Sequence, residues 1–98
     1  MHVVPRLQSE YETFLVRYGE DKLFEFLLKS GSLAKAHFEH PELMMIDQSL
    51  GFFSLFRTTG NQNYFTIGRV LRRVSHKIYR ENKKAGLTPV NNRFLNLV

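Results

Sequence analysis

A chain of 98 residues with 14 Lys/Arg, 9 Asp/Glu and a net charge of +5 has room for one domain and no second core. At 43% hydrophobic and 23% charged residues it is too apolar to be disordered, and with no cysteine it excludes disulfide scaffolds, zinc fingers, iron–sulfur ligation and thiol nucleophiles. No window approaches the ~18 apolar residues of a membrane span, and Met1-His2-Val3-Val4-Pro5-Arg6 offers no apolar signal-peptide core, so a cytoplasmic protein is expected.

The first predicted helix covers residues 9–18. Ser9 and Glu12 form a capping box, Tyr11, Phe14, Leu15 and Tyr18 follow at helical spacing, and Gly19 supplies a left-handed stop. Asp21 caps a second helix through about Lys29, with Leu23, Phe24, Leu27 and Leu28 as its buried stripe. Gly31 ends that helix, and Ser32 caps a short third one over residues 33–40. Pro41 suits the first position of a fourth helix through Leu43, Met44, Ile46 and Leu50. Beyond Gly51, Phe52-Phe53-Ser54-Leu55-Phe56 continues that helix into a loop at residues 58–63. The alternative is a hairpin at about 52–67, with strands 52–59 and 64–67, which would make the domain α+β.

The last helix, about 64–85, is the most regular, with Asn63 as cap, Gly86 as stop and Pro89 beyond. On a wheel of about 100° per residue, Ile67, Val70, Leu71, Val74 and Ile78 occupy one side. Arg69, Arg72, Arg73, His76, Lys77, Arg80, Lys83 and Lys84 occupy the other, a cationic strip ~22 Å long, while Glu81 falls toward the apolar side. Gly68 marks a late start or a close helix crossing, and the tail at residues 87–98 docks or offers Phe94, Leu95, Leu97 and Val98 to a partner. The fold expected is all-α: a compact four- to five-helix single domain over 1–98 with a long basic C-terminal helix.

Charge is distributed as unevenly as the helix pattern suggests. Residues 1–60 carry a net −2 and residues 61–98 a net +7. Such concentration points to a local anionic partner. Helix-borne Arg and Lys neutralise phosphates and release counterions, so nucleic acid, DNA or RNA, is the first expectation and an acidic protein surface the second. A helix-turn-helix around Ser30-Gly31-Ser32 is weak, because residues 33–40 hold one lysine and one acid where base-reading side chains belong. His37 and His40, three apart with Glu39, Glu42 and Asp47 nearby, invite a metal reading but match no zinc-hydrolase spacing, and no metal is expected there. No GxSxG elbow, phosphate-cradling glycine loop or nucleophile beside paired acids is present, so neither catalysis nor a cofactor is expected. Phe52, Phe53, Leu55 and Phe56 exceed what one small domain readily buries, and the surplus points to a partner interface, most simply a homodimer.

Overall fold

Gly19 adopts a positive φ of 92°, the backbone turn predicted for it, and separates α1 (Pro5–Tyr18) from α2 (Glu20–Ala34). The computed structural model describes residues 5–34 and 37–84, which form two further helices, α3 (Pro41–Thr59) and α4 (Gln62–Lys84). Among the described residues there is no strand, so the domain is all-α with four helices. Residues 52–59 are helical and a helix resumes at Gln62, which removes the hairpin alternative. Gly86, Pro89 and the tail at 87–98 lie outside the described residues.

Several boundaries differ from those expected. α1 is helical from the first described residue, Pro5, onward. Ser9 and Glu12 therefore stand inside the helix and form no capping box. Glu12 instead accepts a hydrogen bond from Asn61 Nδ2 at 3.0 Å, tying α1 to the α3–α4 turn.

In α2, Asp21 is a first-turn residue rather than the cap, and the helix passes through Gly31 to Ala34. A Cβ at Gly31 would stand 2.5 Å from Ile78 Cδ1 and 3.0 Å from Met45 Cε, so this glycine serves a close helix crossing rather than a stop. The 30–32 turn required by a helix-turn-helix is thus absent. Residues 37–40 are non-helical, and so the short third helix and the shared helical face of His37 and His40 are absent too, with Lys35 and Ala36 outside the described residues.

The turn between α3 and α4 is shorter than the predicted 58–63 loop. Gly60, at φ 72°, donates its N–H to Phe56 O at 2.7 Å and closes α3. The side-chain oxygen of Asn61 then accepts the N–H of Asn63 at 3.0 Å, so Asn61 rather than Asn63 caps α4. Two residues therefore suffice to reverse the chain and lay α3 and α4 side by side.

Their facing sides supply most of the core: Met45, Ile46 and Phe52 from α3, and Ile67, Val70, Leu71, Val74 and Ile78 from α4. From α2 come Leu23 and Leu27, which are wholly buried. No residue of α1 is fully buried; Leu7, Tyr11, Phe14 and Leu15 pack against the core from its edge. Burial, with a smaller contribution from Glu10, pushes the Tyr11 phenol above its ordinary range.

Gly68 marks a crossing as well. A Cβ there would lie 2.8 Å from the Phe53 ring, and Ser49 Oγ donates to Gly68 O at 2.8 Å, so α3 and α4 meet backbone to side chain at this point.

Candidate nucleic-acid interface

The rotation of α4 decides what it presents to solvent. Five apolar residues fix its inner side, and two polar ones fix it further: Ser75 Oγ donates to Glu42 O at 2.8 Å, and Asn82 Nδ2 donates to Glu42 Oε2 at 2.6 Å. With that side locked, Arg69, Arg72, Arg73, Arg80, Lys83 and Lys84 are exposed, and His76 and Lys77 half-buried, as the wheel predicts. Glu81 is exposed rather than turned inward, because the buried stripe at that level runs through Ile78 and Asn82.

One carboxylate reaches the strip from another helix. Arg69 Nη2 donates to Glu20 Oε1 at 3.3 Å, and Arg73 Nη1 stands 4.0 Å from the same oxygen. Among the described residues Glu20 is the single acid paired with strip cations. These pairs are half-exposed, so their worth to the fold is about 0–1 kcal/mol. The same carboxylate repels an approaching anion. Glu20→Gln is therefore expected to change stability by less than about 1 kcal/mol and to tighten binding of an anionic polymer several-fold. Weaker binding in a titration of this variant would contradict that account.

Two grooves flank the outer face of α4. On the α2 side, Phe24, Arg72, Arg73, His76, Lys77 and Arg80 line a groove of about 550 Å³. On the α3 side, Phe53, Phe56, Arg57, Phe65, Arg69 and Arg72 line one of about 400 Å³. Arg72 borders both. The guanidinium of Arg73 lies over the Phe24 ring, 4.7 Å from its centroid, and that of Arg69 lies 6.0 Å from the Phe65 centroid. Phe65 is held in turn by Phe53 and Phe56, with centroids 5.7 and 5.2 Å away. Each groove thus combines arginine with an aromatic wall.

The apolar interface expected at residues 52–56 is largely satisfied within the domain. Phe52 is wholly buried and stacks on Tyr11 at 5.9 Å, while Phe53, Leu55 and Phe56 are half-buried against the core and Phe65. The exposed large apolar residues lie elsewhere: Val16, Tyr18 and Phe26 around α1 and α2, with Leu33, Phe38 and Met44 near the opposite end of α2. Tyr18, which follows Tyr11, Phe14 and Leu15 at helical spacing, is among them. It joins Phe14 and Phe26 in an aromatic row, Phe14 lying 4.8 Å from Tyr18 and 4.9 Å from Phe26.

Sequence reasoning placed Glu42 only beside the histidine pair and missed its burial against Asn82. Its carboxylate is 1% exposed and lies against Asn82, 2% exposed, and His40, whose Nδ1 is 3.1 Å from Oε1. A glutamate in the first turn of a helix reads as a solvated charge favoured by the helix dipole, and nothing nearby in the chain announces a partner 40 residues on. Among the described residues, no cluster of His, Asp and Glu can hold a metal ion, and no helix is long and apolar enough to cross a membrane. Comparison with known family models, curated proteins and solved structures finds no match to this chain.

Proposed function

We propose that this chain is a small, non-catalytic, cytoplasmic nucleic-acid-binding or regulatory protein whose α4 contacts phosphates through Arg69, Arg72, Arg73, His76, Lys77, Arg80, Lys83 and Lys84. The observation that carries the reading is the segregation of charge on α4. Seven Lys/Arg line one side of α4, six of them exposed, against one exposed acid on the same helix, Glu81, and one carboxylate from another helix, Glu20. A face kept only for solubility interleaves both signs, whereas phosphate binding requires one sign over a length comparable to several phosphate spacings. The test is anisotropy of a labelled oligonucleotide at about 50 and about 300 mM salt, with poly-glutamate as an acidic polypeptide competitor. Binding that falls steeply with salt and resists poly-glutamate supports the reading. No binding at the lower salt overturns it.

A second reading is a protein-interaction module, such as an adaptor, inhibitor or chaperone-like subunit, with an acidic protein partner. It is favoured by the α3-side groove, where Phe53, Phe56 and Phe65 form an apolar wall rimmed by Arg57, Arg69 and Arg72. Aromatic anchors with a cationic rim suit an acidic partner or a second copy of the chain. Displacement of the oligonucleotide by poly-glutamate at equal charge concentration favours this reading over the first.

A further inference from the structure

A duplex and a single strand ask different things of a cationic surface. Duplex readout by a helix requires that the helix project into a groove about 12 Å wide. Here α4 lies between α2 and α3, and its cations border two grooves walled by side chains from those neighbours. Aromatic rings beside phosphate-binding arginines have no use for a duplex, whose base faces are already stacked. They suit unpaired bases, which stack on phenylalanine rings or on the outer plane of a guanidinium held from behind.

We propose, resting on the nucleic-acid reading above, that the two grooves of α4 bind an unpaired strand of nucleic acid, with bases stacking at the Phe24–Arg73 and Phe65–Arg69 pairs and phosphates meeting Arg72, Lys77 and Arg80 between and beyond them. Both pairs put a guanidinium over a ring, at 4.7 Å and 6.0 Å from the centroid. Arg72 borders both grooves and stands where a strand crossing from one to the other must pass. From Phe65 to Arg80 the helix runs ~22 Å, room for about four nucleotides, the low end of site sizes for stacking single-strand binders. Besides phenylalanine, the groove walls are arginine, lysine and one histidine, with the Glu20 carboxylate standing against Arg69 and Arg73. Such walls offer stacking faces for bases and cationic donors for phosphates.

The test compares full-length protein binding to oligo(dT) of about 15 nucleotides with binding to a hairpin duplex of equal phosphate number. The single strand is expected to bind at least about tenfold tighter. Phe24→Leu and Phe65→Leu, in separate grooves, are each expected to lose about fivefold or more, while Phe24→Tyr keeps its affinity because the ring face remains. The salt slope stays unchanged in these variants, since no charge is removed. Far-UV circular dichroism identifies any variant that fails to fold, and the other groove's variant then carries the test.

If the duplex binds as well as the single strand, or both folded leucine variants bind like the parent, the single-strand proposal is overturned while the nucleic-acid reading stands. Competition by thymidine monophosphate equal, per nucleotide, to that of the oligomer also overturns it, in favour of a mononucleotide pocket. If neither probe binds, both readings fall together.

Discussion

Glu42→Ala is expected to destabilise the domain by about 3 kcal/mol, lowering Tm by about 12–24 °C for a chain of this size. The carboxylate ties the start of α3 to the end of α4. One oxygen accepts from Asn82 at 2.6 Å and the other lies 3.1 Å from His40 Nδ1. Removing it strands a buried Asn82 amide, at a cost of about 1–3 kcal/mol, and opens a small void at a further cost of about 1 kcal/mol. Glu42→Gln keeps a carbonyl for Asn82 and is expected to lose only about 1 kcal/mol. Urea unfolding followed by circular dichroism checks both, and a double-mutant cycle with Asn82→Ala isolates the pairwise contribution. A Glu42→Ala variant within 1 kcal/mol of the parent would show that the buried contact adds little to the fold.

The second large effect concerns binding. Arg72, Lys77 and Arg80 line the α2-side groove, and none of them is in the ion pairs made by Glu20. Replacing all three by alanine removes three phosphate contacts at about 1 kcal/mol each, so affinity for an oligonucleotide is expected to fall about 100-fold. Alanine is the strongest helix former, and Arg72 and Arg80 are exposed, so the fold should survive, as an unchanged helical spectrum would verify. A loss of tenfold or less would place the phosphate contacts elsewhere on the surface.

The parts of the fold legible in the chain were those set by local periodicity. α4 is an example: Ile67, Val70, Leu71, Val74 and Ile78 follow helical spacing and all are buried, so the cationic face is fixed by elimination. Gly19 and Pro41 are equally local, the first a backbone turn and the second a helix start. Where long-range packing decides, the local signal misleads. Gly31 has the sequence surroundings of a stop, yet it exists to let Ile78 and Met45 approach α2. Ser9 and Glu12 have capping-box spacing, but the chain is already helical at Pro5 and Glu12 serves Asn61 instead.

The candidate site divides in the same way. Its cations follow from helical spacing alone. Its aromatic walls do not, because Phe24, Phe53 and Phe65 come from three helices whose adjacency only the tertiary fold establishes. Phe24 in particular sits on the stripe that includes Leu23 and Leu27, and is set apart from them by its position under Arg73. Glu20, the acid that tempers the strip, is 49 residues from Arg69 and carries no local mark of the pairing.

The central claim is that phosphates are bound by the outer face of α4. Its most direct test is the slope of log K against log salt for oligo(dT), measured for the parent protein and for the Arg72, Lys77 and Arg80 triple alanine variant. Four to six contacts on a single strand predict a slope of about −3 to −4 for the parent, reduced by about 2 in the variant. A flat line for the parent, or the same slope for both proteins, would contradict it.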